Sequence, residues 1–301
     1  MEPRSPTLDQ LLVFLAIAEE GSFAAAARRL GRATSVISYA IANLEAQLGL
    51  QLFDRDTTKK PQLTEAGRAM LTDARTVALS VDSLLARARG LQAGLEAEVA
   101  LVVDAMVPMR SMVGVFDAFQ SAYPTVPLRL SVEAMGAVAQ NVLDGVAAFG
   151  LSGPLDCGPD GLERRQIGAV RLLPVAAPAH PLARFTGTVP TREARKHLQL
   201  VLTDRSQLTA GREFAVLALK TWRLADLAAK HELLLAGLGW GSMPEAMVGD
   251  DLVAGRLVRL NIDTWDNVVY PLQVVHRLDA PLGPASAWLV EQLKAALAPP
   301  R

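Results

Sequence analysis

Leu8, Leu11, Leu12 and Leu15 recur at i, i+3, i+4 and i+7, the spacing of one buried face of an α-helix. Thr7-Leu-Asp-Gln10 in front of them fits a capping box, and the stripe ends near Glu19-Glu20-Gly21. Ser22 is placed to cap a second helix, Phe23 to Leu30, whose alanines allow close helix approach and which Gly31 ends. Ile37, Ile41, Leu44 and Leu48 then share one face of a third helix, stopped by Gly49. Further along, Met70, Ala74, Val77, Val81, Leu84, Ala88 and Leu91 alternate steps of four and three, a heptad seam on a helix from Thr64 to about Gln92. So narrow a stripe is better buried against an identical helix than in a globular core. It predicts a coiled-coil dimer with contacts at Met70, Val77, Val81, Leu84 and Leu91; the other arrangement is a helix folded back on its own domain.

From Val99 onward short apolar runs alternate with helical stretches, the pattern of an α/β fold. Strands are predicted at Val99 to Val103, along Leu128, Leu130 and Val132, and at Ala147 to Leu151. A second group lies at Val170 to Ala177, Gln199 to Thr203, Leu257 to Leu260 and Leu272 to His276. Helices are predicted at Pro108 to Ala122, Ala137 to Asp144, around Leu224 to Ala236, from Pro244, and from Pro284 to Leu297.

Composition narrows the field. The chain has 301 residues, half of them apolar, enough for two domains with sizeable cores. Its apolar runs fall short of the roughly 18 residues a membrane span requires. Met1-Glu-Pro-Arg-Ser-Pro lacks the apolar core of a signal peptide, so no membrane association and a cytoplasmic location are expected. The single cysteine, Cys157, excludes an intramolecular disulfide and multi-cysteine metal sites. It reads as a loop residue, although a lone exposed thiol can also sense oxidants.

With 30 Lys plus Arg against 31 Asp plus Glu, the formal charge of −1 argues at first against a nucleic-acid partner. Yet Arg28, Arg29, Arg32, Arg55, Lys59 and Lys60 face only Glu45, Asp54 and Asp56 between residues 28 and 60. Two short helices meeting at Gly31-Arg32-Ala33 match a helix-turn-helix. Thr34, Ser35, Ser38 and Tyr39 project away from the Ile37/Ile41 stripe, and short hydroxyls at a helix N-terminus suit phosphate oxygens and base edges. A three-helix bundle with a merely polar face accounts for the same spacing.

The continuation separates these readings. Ser22-Phe23-Ala24-Ala25-Ala26-Ala27, Ser38, Leu44-Glu45, Leu48-Gly49, Leu52-Phe53-Asp54-Arg55 and Leu63-Thr64-Glu65-Ala66-Gly67 resemble the winged helix-turn-helix of LysR-type transcriptional regulators. The resemblance implies that the helix from Thr34 enters the major groove and that the hairpin Asp56 to Pro61 is a wing over the phosphate backbone. The DNA-contacting set is then Ser22, Arg32, Thr34, Ser35, Ser38, Tyr39, Arg55, Thr58, Lys59 and Lys60. Arg32, Ala33 and Tyr39 depart from the family's usual residues. Tyr39 either contacts a thymine methyl or phosphate, or packs on its own helix.

Ala177 to Ala183, Ala236 to Gly241 and Leu252 to Leu257 are similar to segments of the same family's effector domain, itself like the type 2 periplasmic-binding fold. The implied fold class is α/β with an all-α/winged N-terminal part. A winged helix-turn-helix spans 1–63 and a linker dimerisation helix 64–92. A two-lobed α/β effector domain spans 93–301, with lobe one at 98–160 plus 267–301 and lobe two at 161–266. The family further implies double-stranded DNA, a small-molecule effector and RNA polymerase as partners, and a homodimer assembling into a homotetramer.

Ligands of such folds bind beyond the carboxyl ends of strands, where helix N-termini point. That rule nominates Asp104, Ala105, Met106, Ser131, Glu133, Ser152, Thr203 and Asp204. An Asp at 104 favours an effector offering a cation, amide or hydroxyl, unless it caps the following helix. Catalytic and cofactor readings find no support. Gly237-Leu-Gly-Trp-Gly241 lacks a phosphate loop's spacing, Pro154 breaks a nucleophile elbow, and His180, His197, His231 and His276 are scattered surface or capping residues. A regulator without metal or resident cofactor is expected; the alternative is a solute-binding or enzymatic α/β protein with an incidental helical head.

Overall fold

The computed structural model describes residues 5–54, 61–154, 160–209, 212, 214–265 and 268–298. The chain divides into two compact units, Met1–Arg89 and Gly90–Arg301.

The first unit is built on α1 (Leu8–Glu20), α2 (Phe23–Leu30) and α3 (Thr34–Leu48), followed by β1 (Phe53–Asp54), β2 (Gln62–Leu63) and α4 (Glu65–Gln92). The Thr7 hydroxyl accepts from the Gln10 N–H while the Gln10 side chain accepts from the Thr7 N–H, the reciprocal cap expected of this sequence. Val13, Phe14, Ile17, Ala26, Ala27, Ile37, Ile41, Leu44 and Leu52 form the core. Ala26 and Ala27 are fully packed, as a close crossing of α2 demands.

Two polar residues tie the segment leading into β1 and the start of α4 to this core. The buried Glu45 carboxylate accepts from the N–H of Leu52 at 2.7 Å and of Phe53 at 3.3 Å. Thr64 Oγ1 donates to the Gln51 carbonyl and accepts from Gly67 N–H, starting α4. At Gly67 a Cβ would lie 2.1 Å from the Leu52 carbonyl oxygen, so only glycine fits. The sequence Leu-Thr-Glu-Ala-Gly thus has a steric reason.

The second unit carries β3 (Val99–Asp104), α5 (Met109–Ala122), β4 (Leu128–Glu133), α6 (Gly136–Leu143), β5 (Phe149–Ser152) and β6 (Leu162–Ala176). Then follow α7 (Thr191–Ala194), β7 (Gln199–Leu202), β8 (Thr221–Leu224), α8 (Leu227–Leu235), β9 (Trp240–Pro244) and α9 (Glu245–Val253). Strands β10 (Val258–Arg259) and β11 (Val268–Arg277) and helix α10 (Pro284–Leu297) close the chain. One sheet runs in the order β4-β3-β5-β11-β6-β9-β7-β8, with β10 beside β6. Its β4-β3-β5 end is lobe one and its β9-β7-β8 end lobe two, joined by the long antiparallel pair β6 and β11.

Four expectations are corrected. The strand expected at Val170 begins at Leu162, because its first half pairs with the end of β11. Thr221 to Leu224 is a strand parallel to β7, and the helix starts only after Asp226, whose carboxylate caps it through the Ala229 N–H. Gly237-Leu-Gly leads into strand β9, with Trp240 fully buried. Leu8 and Leu12 are exposed, and the buried face of α1 is instead Val13, Phe14, Leu15 and Ile17, which meet the core of α2 and α3.

Candidate functional sites

On the helical unit, Ile37, Ile41 and Leu44 turn α3 inward, and Thr34, Ser35, Ser38 and Tyr39 are left on its outer face. Tyr39 is 70% exposed, so it does not pack on its own helix. Ala33, the N-cap of α3, provides no side-chain acceptor. Two proposed contacts have structural work to do. Ser22 Oγ accepts from the Ala25 N–H and caps α2. Arg32 binds Asp9 through both terminal nitrogens at 2.8 and 2.7 Å, which holds the Asp9 carboxyl below the usual range. This exposed pair ties the turn to α1. Arg55, Thr58, Lys59 and Lys60 lie outside the described residues, as does Cys157.

Along α4 the heptad seam splits. Met70 packs against the helical core and Ala74 is buried, whereas Val77, Leu84 and Leu91 are exposed and Val81 is half-buried. Met70 thus packs in part on its own domain, and the more exposed part of the seam begins at Val77.

In the second unit a cleft of about 630 Å³ opens between the lobes. The β3–α5 turn brings Asp104, Ala105, Met106 and Arg110 to it, β4 brings Glu133, and lobe two brings Asp226, Met247 and Asp250. Thr203 and Asp204 line a separate hollow of about 310 Å³ with Met135, Ser206 and Thr209. Ser131 is exposed on β4, while Ser152 is fully buried with Oγ donating to the Gly153 carbonyl. Six of the eight nominated residues thus divide between these two hollows. Arg110, Asp226, Met247 and Asp250 were not nominated. Their signal was present, since each begins a helix or lies in its first two turns after a strand.

Asp104 decides what the junction can hold. Its Oδ1 accepts from the Met106 N–H at 2.8 Å, and Oδ2 from the Met135 N–H at 2.9 Å and the Tyr270 hydroxyl at 2.8 Å. Burial pushes its pKa up against these donors, and burial followed by the Asp104 charge pushes that of Tyr270 up. The carboxylate is thus held by donors of its own chain and organises three segments at the edge of the cleft. Asp204 is bound as fully: it accepts from the N–H groups of Gly136 at 2.9 Å, Ala137 at 3.2 Å and Ser206 at 2.9 Å, and from the hydroxyls of Ser206 and Thr209.

Two further buried ionisable groups, Asp251 and His180, hold local structure. Asp251 joins α8 to α9 by pairing with His231 at 2.7 Å and Arg256 at 2.6 Å. His180 Nδ1 accepts from the Leu182 N–H; burial first, and then His197, lower its pKa. No helix among the described residues is long and apolar enough to cross a membrane.

Comparison with known proteins gives matches over both units. The family described as bacterial regulatory helix-turn-helix protein, lysR family, matches residues 8–68, and the LysR substrate binding domain matches 92–298. The chain is 28% identical over 297 residues to the probable HTH-type transcriptional regulator YhaJ of Escherichia coli, covering 96% of each. It is 31% identical over 282 residues to the regulator Mb2303c of Mycobacterium bovis, covering 87% of this chain and 88% of that one. Among solved structures, full-length LysG of Corynebacterium glutamicum with bound effector Arg superposes with a TM-score of 0.52 at 22% identity. That match covers 97% of this chain and 100% of LysG.

Proposed function

The chain belongs to the LysR-type transcriptional regulators, DNA-binding proteins that carry an effector-binding domain, and from that premise we propose how its own residues divide the work. Helix α3 enters the major groove, where Ser35, Ser38 and Tyr39 meet base edges and Thr34 the phosphate. Arg55, Thr58, Lys59 and Lys60 cover the backbone beside it. Two copies pair through the free seam of α4, which places two reading heads on a DNA site with dyad symmetry, and pairs of dimers form the tetramer. A small organic effector enters the cleft at Met106, Glu133 and Met247, shifts the lobes, and so alters the dimer's engagement of DNA and RNA polymerase. The protein acts in the cytoplasm, with no catalytic step, metal or resident cofactor.

The observation that carries this reading is the hydroxyl-bearing outer face of α3 set opposite its buried Ile37/Ile41/Leu44 face. The test is a gel-shift titration against the DNA upstream of the protein's own gene at two salt concentrations. A specific, salt-weakened shift that Ser38→Ala diminishes more than non-specific binding is expected. Ligand binding undiminished by removal of residues 1–92, without any specific shift, supports the solute-binding alternative instead.

A further inference from the structure

The N-terminal end of α6 presents backbone N–H donors that suit a negative charge, because the first N–H groups of a helix have no partner within it. In this chain the protein supplies the anions itself. Met135 N–H goes to Asp104 of lobe one, and the N–H groups of Gly136 and Ala137 go to Asp204 of lobe two. The surroundings are shaped to that second carboxylate. A Cβ on Gly136 would lie 2.5 Å from Asp204 Oδ2 and 2.4 Å from Ser206 Oγ, so a larger residue would push these two side chains off the helix end. Met135 is held at φ 43°, a left-handed conformation that a methionine adopts only when its surroundings impose it. The turn that carries Asp204 also sends Leu208 against the lobe-one cluster of Val102, Val138 and Val142.

We propose that Asp204 is a built-in anion and a specificity-determining residue. From lobe two it takes the position on α6 that a free small carboxylate would occupy, and it ties the lobes at that point without a ligand. A small anion at α6 is thereby excluded as the controlling ligand, which leaves that role to the cleft beside α5, α8 and α9. This rests on the reading above that a ligand acts between the lobes.

Removing the side chain should therefore uncover an anion site that the wild-type protein lacks. The full-length chain carrying Asp204→Ala is compared with wild type by thermal unfolding in sodium acetate and in sodium chloride of equal ionic strength. Asp204→Ala should lower the melting temperature by about 4 °C or more. Acetate at about 100 mM should return at least half of that loss, through mass action on the vacated site, while leaving wild type where chloride leaves it. An unchanged melting temperature in Asp204→Ala, no recovery in acetate, or equal acetate effects on both proteins overturns the proposal. Should Asp204→Ala not fold, Asp204→Asn retains the shape and one acceptor oxygen. In it the amides of Gly136 and Ala137 should exchange with solvent at least about tenfold faster than in wild type, and unchanged exchange overturns the proposal equally. A failed gel shift would sink the regulatory reading without touching these results, and the reverse also holds.

Discussion

Lys230 is an ammonium group in a place where water cannot reach it. It lies on α8, 3% exposed, and its Nζ donates to the Ser242 carbonyl of β9 at 2.7 Å. The reason for a donor here is the divergence of β7 from β9, which pair only at Gln199 and Trp240 and leave the Ser242 carbonyl without a strand partner on that side. Burial lowers the pKa of Lys230 from 10.5 to about 7. Between those values the unfolded chain holds the proton and the folded protein does not, so stability rises with pH across that window and the full penalty applies below it. The wild type should gain about 3 kcal/mol relative to Lys230→Met between pH 7 and pH 9.5, from the 1.36 kcal/mol carried by each pKa unit. Urea unfolding of both proteins at the two pH values measures it, and parallel curves would show the lysine already satisfied. Tyr270 is a second buried polar residue of consequence, since its hydroxyl is one of the donors to the buried Asp104 carboxylate. Tyr270→Phe leaves that carboxylate short of a donor and should cost about 1–3 kcal/mol in the same urea experiment.

At the scale of elements, α4 makes the clearest demand on a partner. Val77, Leu84 and Leu91 are exposed on a helix whose first turns are already packed on the helical core. Burying one leucine contributes about 2 kcal/mol, and a symmetric dimer buries each position twice. Leu84→Glu should therefore weaken dimerisation by at least about a hundredfold, read by sedimentation at falling concentration, and an unchanged dimer would place the interface elsewhere. The caps show which elements were legible. α1 is capped by Thr7 and Gln10 from three residues away, and its start could be read directly. α10 begins at Gly283-Pro284 without a side-chain cap of its own. Its first N–H groups, Ala285 and Ser286, go to the Glu96 carboxylate, 189 and 190 residues earlier in the chain, a partner no local pattern announces. The same limit explains β8. Four residues, Thr221 to Leu224, adjoin an apolar helical run and blend with it until β7 lies alongside.

For the whole molecule the proposed pairing through α4 predicts cooperative reading of DNA with little bulk charge. Residues 1–92 hold 11 basic and 10 acidic groups, so affinity must come from specific contacts and from two heads acting together. Deleting one half of a dyad-related site should lower affinity by at least about a hundredfold, well beyond what loss of one of two independent sites would cost. Gel shifts on the intact and halved site decide this, and a twofold loss would mean the heads act alone.

The amino-acid sequence by itself determined the helical head, the linker helix and the alternating α/β character of the rest. Periodicity, caps and glycine stops act within a few residues of one another, and the physics that reads them is local. Which polar groups remain free for DNA or ligand was decided only by tertiary structure. Arg32 is taken by Asp9, Asp104 by Met135 and Tyr270, and Asp204 by Gly136, 23 to 166 residues apart in sequence. A carboxylate or guanidinium has the same letter whether it waits for a partner or already has one. The difference is made when the sheet closes and brings distant donors to it.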